Sequence, residues 1–301
     1  MTINQLKYVL MIAACSSMRE AAGRLYVTQP ALTASVNELE TELGICIFER
    51  NNKGIRISEE GKEFIDYAKK AVSQYEILEE RFLSNDMNKE HFSVSSQHYN
   101  FAVHAFTDMI RKYNPEKYVF SFHETRTMEV LNDVRDMKSE VGILSYSESS
   151  EGVIRSLLKN YNLDFVPLMK KETFAYFWMD NPLAGENEVS LAQLEDIPCI
   201  TFEQASSENF CLSEEALGNF DHPKMIKSDD RATSMELIAE LGGYSIGSGM
   251  LSVEESILPG LTSVKLKEED ILTIGYIYRK NSHLTDYAQS YIKELEKYKE
   301  I

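Results

Sequence analysis

The sequence predicts a chain of mixed class, α+β at its start and α/β over the rest. Three observations carry that reading. Apolar residues at helical spacing, opened by strong caps, fill residues 2 to 44. One long amphipathic helix follows from residue 59, and from His91 onward short β-like runs alternate with helical stretches. At 301 residues the chain is long for a single core and suits two domains, and 43% hydrophobic with 26% charged residues is ordinary for a folded chain.

The segment Thr2 to Ala14 places Leu6, Val9, Leu10 and Ala13 on one helical face, and Thr2 with Gln5 has the spacing of a capping box. A second box, Ser17 with Glu20, opens a short helix over Glu20 to Leu25, where paired alanines let another helix approach closely. A third helix starts at Thr28 as N-cap. It takes Pro30 in its first turn, where the missing N–H costs nothing, buries Leu32, Val36, Leu39 and Leu43, and ends at Gly44. Two short helices joined by a tight connection, the later one beginning with small polar side chains, are what a major-groove reader requires. Thr28, Gln29, Thr33 and Asn37 then supply donors and acceptors for base edges, with Pro30 among them. Ser17 and Arg19, at the start of the preceding helix, are further candidate contacts, and a helix N-terminus favours a nearby phosphate. On periodicity alone an ordinary three-helix cap with a solvated polar face fits equally well.

Ile45 to Glu49 and Ile55 to Ile57 alternate around Arg50, Asn51, Asn52, Lys53 and Gly54, the composition of a β-hairpin tip. The hairpin reads as a wing: Arg50, Lys53 and Arg56 put three cations on it with Glu49 the nearby acid, which suits phosphate contact and a side chain in the minor groove, with a charged tip on a solvated hairpin as the alternative. The first 58 residues are thus expected to form a winged helix-turn-helix.

After Gly61, Phe64, Ala68, Ala71, Tyr75, Leu78 and Phe82 repeat at spacings of 4, 3, 4, 3 and 4, a heptad seam on a helix of about 30 residues. Such a seam needs a partner. Dimerisation buries it, and packing on the chain's own C-terminal half is the alternative.

In the remainder, His91 to Ser95, Tyr118 to His123, Val141 to Leu144, Phe174 to Met179 and Cys199 to Phe202 read as strands. Phe101 to Lys112, Met128 to Lys138, Ser207 to Gly218 and Ala232 to Leu241 read as helices. The pattern predicts mainly parallel sheets, whose ligands bind where strand ends meet helix starts. Ser96, Gln97 and His98 follow the first strand, and Thr125, Arg126 and Thr127 follow the second. Arg126 beside two threonines suits an anionic effector such as a carboxylate, although any one of these positions serves equally as a helix cap. The run Gly242 to Gly249 lacks the spacing and lysine of a phosphate-binding loop and reads as a tight helix-to-strand turn.

Residues 3 to 62 also resemble a known family. Gln5-Leu6-Lys7-Tyr8, Ser17 through Ala22, Leu25 through Thr33, Leu39-Glu40, Leu43-Gly44, Ile47 through Arg50, and Ile57 through Gly61 stand in the order and spacing of LysR-type regulators. One departure is Ala34, where the family often has a long polar or basic side chain that helps read bases. Asn181 through Ala184, Leu191 to Leu194, and Met235 to Gly249 carry the same resemblance more loosely.

The resemblance implies a winged helix-turn-helix over 1–58, a dimerising linker helix over 59–90, and a two-lobed α/β effector-binding domain of the periplasmic-binding-protein type over 91–301. Lobe I is expected at about 91–165 and 265–301, and lobe II at about 166–264. It further implies a homodimer or homotetramer on double-stranded promoter DNA, with RNA polymerase as a candidate partner. The small-molecule effector would sit in a cleft faced by the two turns above and by the run Phe202 to Gln204, Gly247 and Ser248.

The net charge of −17 opposes DNA binding until it is located. Residues 1 to 58 hold 6 basic and 5 acidic side chains, whereas residues 91 to 301 hold 20 and 34, so the acid lies away from the N-terminus. Cys15, Cys46, Cys199 and Cys211 form no paired motif and read as core fillers, and a redox pair of Cys199 with Cys211 is weighed against burial of Cys199 in the run Ile197 to Phe202. No metal cluster, cofactor motif, nucleophile elbow or supported acid-base pair stands out, so an enzyme is not expected. A signal sequence and a membrane-length apolar run are likewise absent, which predicts a cytoplasmic chain with no membrane partner. A solute-binding protein or ligand sensor without specific DNA binding is the alternative, and the first ninety residues speak against it.

Overall fold

A computed structural model of the chain describes residues 1–15, 17–51, 54–82, 89–203, 217, 220, 222–250 and 260–299. The chain divides into two compact units, Met1–Asn88 and Lys89–Ile301.

In the first unit the capping residues start the helices. Thr2 and Gln5 form a full capping box on α1 (Ile3–Ala14), Ser17 accepts from the Glu20 N–H on α2 (Met18–Arg24), and Thr28 accepts from Ala31 on α3 (Gln29–Leu43). Gly44 ends α3 with φ 69°, a left-handed conformation that favours glycine. The strands β1 (Phe48–Asn51) and β2 (Gly54–Ile57) pair antiparallel, with Glu49 opposite Arg56 and Asn51 opposite Gly54. The core is built from Val9, Ile12, Ala21, Leu32, Val36, Leu39 and Ile47, all buried.

The long helix α4 (Glu59–Phe82) corrects the heptad reading. Its inner face is Ile65, Ala68 and Val72, and Ala68 packs with Val72 against Leu6 of α1 in the same chain. Ala68 therefore does not belong to a seam open to a partner. Ala71 and Leu78 are exposed, and Phe64 and Tyr75 are half-buried. The physical reason is that α1 of the same chain presents Leu6 to this face, which the spacing of α4 alone does not reveal. The side chain of Phe82 lies outside the described residues.

The second unit holds two sheets. The first has strand order β4-β3-β5-β13-β6, from β3 (Glu90–Ser96), β4 (Tyr118–Glu124), β5 (Val141–Ser147), β6 (Leu163–Lys171) and β13 (Leu272–Arg279). The other has order β10-β9-β11-β7-β12-β8, from β7 (Phe174–Trp178), β8 (Glu188–Val189), β9 (Cys199–Phe202), β10 (Met225–Ser228), β11 (Tyr244–Gly247) and β12 (Leu261–Leu266). Helices α5 (Asn100–Tyr113), α6 (Thr127–Arg135), α7 (Glu151–Asn160) and α10 (Asp286–Leu295) accompany the first sheet, and α8 (Leu191–Leu194) and α9 (Arg231–Leu241) the second.

Both sheets are mixed rather than mainly parallel. β13 runs antiparallel to β5 and β6, and β7 runs antiparallel to β11 and β12. β7 and β13 are the strands that follow each passage between the sheets, and alternation of strand and helix along a sequence does not show a strand inserted against its neighbours. The first passage falls after Lys171 rather than near 165, because β6 pairs with β13 as far as Lys171. One hydrophobic cluster runs through both sheets, from Phe92, Phe106 and Tyr291 to Phe177 and Tyr244. Cys199 is buried there as expected, but Cys46 is exposed and fills no core. The helix expected over Ser207 to Gly218, with Cys211, lies outside the described residues apart from Leu217.

Candidate functional site

Two surfaces gather the chemistry, one on each unit. On the first, Leu32, Val36 and Leu39 are fully buried and lock the roll of α3, so its opposite side is fixed toward solvent. Thr28, Gln29, Pro30 and Asn37 are exposed there, with Arg19 of α2, while Thr33 and Ser17 are half-buried. Thr28 and Ser17 also cap their helices, so each presents its hydroxyl only partly to a ligand. The hairpin is held to α3 by Glu40, whose Oε1 accepts the N–H groups of Ile47 (2.6 Å) and Phe48 (3.0 Å). Arg50 lies on β1 opposite Ile55. Its side chain and all of Lys53 lie outside the described residues. Arg56 is exposed but stands across from Glu49, which offsets one of the hairpin's cations.

On the second unit, the turns after β3 and β4 come together as expected. Gln97 is fully buried, its Nε2 donating to Thr127 Oγ1 at 2.6 Å and its Oε1 accepting the Ser145 N–H at 2.6 Å. Ser96 is buried with its Oγ donating to the Gln97 carbonyl, and the Thr125 N–H donates to the Ser96 carbonyl at 2.8 Å. Ser96, Gln97 and Thr127 thus tie the two turns to each other, and their polar atoms serve the scaffold.

His98 and Arg126 do reach the second sheet. The His98 ring stacks on Phe202 with centroids 3.7 Å apart and planes 4° from parallel. Arg126 forms an ion pair with Glu203, 3.5 Å, just past the end of β9. Gly247 and Ser248 gather instead around Tyr176 of their own sheet: a Cβ on Gly247 would lie 2.5 Å from its ring, and Ser248 hydrogen-bonds its phenol. Desolvation raises the Tyr176 phenol above its usual range, against the hydrogen bonds from Ser248, Gly249 and Met250 and the nearby Arg231 charge. Gln204 lies outside the described residues.

Sequence reasoning missed three residues at this junction, Arg231, Asn100 and Glu124, and reached Glu203 only as part of the run Phe202 to Gln204. Arg231, the first residue of α9, bonds Asn100 and forms an ion pair with Glu124 on the first sheet's side, while Glu203 answers Arg126 from the second. The signal was present. Asp230 caps α9 through the Thr233 N–H at 2.9 Å, a spacing readable as a helix start, and the Thr233 side chain first, then this backbone bond, hold the Asp230 carboxyl below its usual range. Among the described residues no cluster of His, Cys, Asp and Glu could hold a metal ion, and no helix is long and apolar enough to cross a membrane.

Comparison with known proteins matches the first surface and, except for Ser96, Gln97, His98 and Asn100, the second. Residues 3–62 match the family described as "Bacterial regulatory helix-turn-helix protein, lysR family", and residues 101–299 match the "LysR substrate binding domain". The chain is similar to the "DNA-binding transcriptional dual regulator OxyR" of Escherichia coli (strain K12), 24% identical over 295 residues that cover 94% of this chain and 91% of that protein. It is also similar to the "Uncharacterized HTH-type transcriptional regulator YbhD" of the same strain, 26% identical and covering 96% and 89% of the two chains. In fold it resembles the crystal structure of CbnR, a LysR family transcriptional regulator, with TM-score 0.64 at 16% identity and 100% of each chain covered. CbnR complexed with its target DNA gives TM-score 0.65 at 17% identity, covering 99% of this chain and 100% of that one.

Proposed function

The chain belongs to the LysR family of DNA-binding transcription regulators, and from that membership we propose how it divides the work: α3 with the hairpin reads promoter DNA, and the junction of the two sheets senses an anionic effector. The observation that carries the first half is the exposed start of α3. Gln29 stands at the helix N-terminus, free of the core that Leu32, Val36 and Leu39 occupy, where its amide can address a base edge while the positive end of the helix dipole favours a phosphate. Thr33 and Asn37 follow along the helix, and Arg19, Arg50 and Lys53 supply phosphate contacts. Phe64, Tyr75, Leu78 and Phe82 of α4, with Ala71, serve pairing of subunits, so that two copies present two recognition helices to a dyad-symmetric site.

For the second half, Arg126, His98 and Phe202 are the contacts between the sheets that an effector would disturb. A ligand that binds one arrangement of the sheets better than the other shifts their population, and through the subunits the bend of the DNA. Enzymatic chemistry has no part in this reading.

The test is fluorescence anisotropy of the purified full chain on DNA from upstream of its own gene, against scrambled DNA, at two salt concentrations. Preference for its own region that weakens with salt and drops at least tenfold with Gln29→Ala supports the reading. Equal binding of both DNAs at both salts, followed by no enriched fragments in a genome-wide selection, sinks it in favour of a ligand sensor without specific DNA binding.

A further inference from the structure

Two arginines from opposite sides of one seam each hold a carboxylate that belongs to the other side. Arg126, between β4 and α6, reaches Glu203 after β9, and Arg231, at the start of α9, reaches Glu124 at the end of β4. The exchange is reciprocal: each side gives one guanidinium and takes one. Glu124 and Arg126 are two residues apart in the chain, their Cα atoms within roughly 7 Å, so both ion pairs flank a single turn.

Neither pair is a sealed structural bridge. Side-chain exposures are 28% and 54% for Arg126 and Glu203, and 22% and 29% for Arg231 and Glu124, so water reaches all four groups and each bond is exchangeable. The Nε–H of Arg231 is itself buried and has no hydrogen-bond partner among the described residues, a donor that the protein does not satisfy. Guanidinium groups favour planar oxyanions, which they bind through two parallel N–H bonds. Asp230, beside Arg231, is engaged in capping α9.

We propose that Arg126 and Arg231 form a two-arginine receptor for an effector bearing two anionic groups, a dicarboxylate, and that Glu203 and Glu124 occupy it in the effector's absence. This rests on the reading of the junction as the effector site. An incoming dicarboxylate conserves charge at both guanidiniums, supplies the missing acceptor at Arg231, and replaces two carboxylates tethered to opposite sheets by one molecule that bridges them. A monocarboxylate displaces one glutamate and leaves the other pair in place, so it binds more weakly. The internal glutamates thus set the threshold for the effector, as intramolecular competitors.

The experiment is isothermal titration of the full chain with malonate, succinate and glutarate, and with propionate as the monocarboxylate control, in low-chloride buffer. At least one dicarboxylate is expected to bind one per chain and at least tenfold tighter than propionate. Glu203→Gln and Glu124→Gln should each tighten it severalfold, whereas Arg126→Gln and Arg231→Gln should weaken it at least tenfold. Arg231→Lys, which keeps the charge and loses the fork, provides a milder variant should the glutamine exchange unfold the unit. A structural role for the ion pairs would not make loss of a glutamate tighten binding. No dicarboxylate binding to the parent or to the Glu124→Gln, Glu203→Gln double variant overturns the proposal, as does unchanged affinity in both Arg126→Gln and Arg231→Gln. Operator binding measured on the same preparations separates the outcomes: specific DNA binding with no dicarboxylate response removes the receptor and leaves the DNA reading standing.

Discussion

The backbone N–H of Ile47 donates to Glu40 Oε1 at 2.6 Å, and the same oxygen takes the Phe48 N–H at 3.0 Å. On its other side the Ile47 carbonyl accepts from Ser58, 3.1 Å, and a Cβ on Gly61 would come within 2.3 Å of it. One residue therefore anchors the entry to the hairpin between α3 and the start of α4. Glu40→Ala leaves two N–H groups without acceptors and should cost about 2 kcal/mol in a urea melt of the full chain. Glu40→Gln keeps an amide oxygen in place and should cost less. A Glu40→Ala variant as stable as the parent would show that water replaces the carboxylate without loss.

Tyr26 sits at φ 55° between α2 and α3 and is 96% exposed. A left-handed backbone strains a residue with a Cβ, and nothing in the unit's core repays that strain at so exposed a position. Tyr26→Gly is expected to raise stability by roughly 0.5–1 kcal/mol, read as a higher melting midpoint. A lower midpoint would mean that the ring makes contacts the strain accompanies.

Substitutions on α4 should separate its two faces. Ala68→Leu overpacks the contact with Leu6 and is expected to cost about 1–3 kcal/mol in stability. Leu78→Asp, at a position 55% exposed, should leave the melting midpoint within a few degrees and shift sedimentation toward the monomer. Unchanged sedimentation of Leu78→Asp over a wide concentration range would remove that residue from the subunit contact.

His123 on β4 gives the fold an acid-sensitive point. Burial first, then the Lys138 ammonium, push its imidazole below the ordinary value of 6.5, against the pull of the Asp133 carboxylate. The folded chain thus takes up this proton less readily than the unfolded one, so stability falls as pH drops below 6.5 and levels off once the folded imidazole has also protonated. His123→Gln should narrow the difference in melting midpoint between pH 7.5 and pH 5.5. An identical difference in the variant would locate the acid sensitivity elsewhere.

Much of the first unit was legible because its signals are local. Thr2 with Gln5, Thr28 with Pro30, and Gly44 each act within one helical turn, and each appears where the spacing puts it. The same holds for Cys199 to Phe202 as a strand. The inner face of α4 was less legible, since several registers of a long amphipathic helix look alike until Leu6 arrives beside Ala68.

At the junction of the two sheets, the sequence by itself pointed to the turns after β3 and β4 and to Phe202, because strand ends are recognisable from hydrophobic alternation. It also carried the cap at Asp230 that marks the start of α9. What it could not carry is that Arg231 meets Glu124, 107 residues away, and that Arg126 meets Glu203, 77 residues away. Gln97 and Thr127 were chosen for the right turns, yet the fold binds them to each other, and of the residues chosen there His98, Arg126 and Phe202 make the cross-sheet contacts. Caps and periodicity depend on neighbours in the chain, whereas ion pairs across a seam depend on how two sheets distant in sequence pack against each other, and tertiary packing alone decides that.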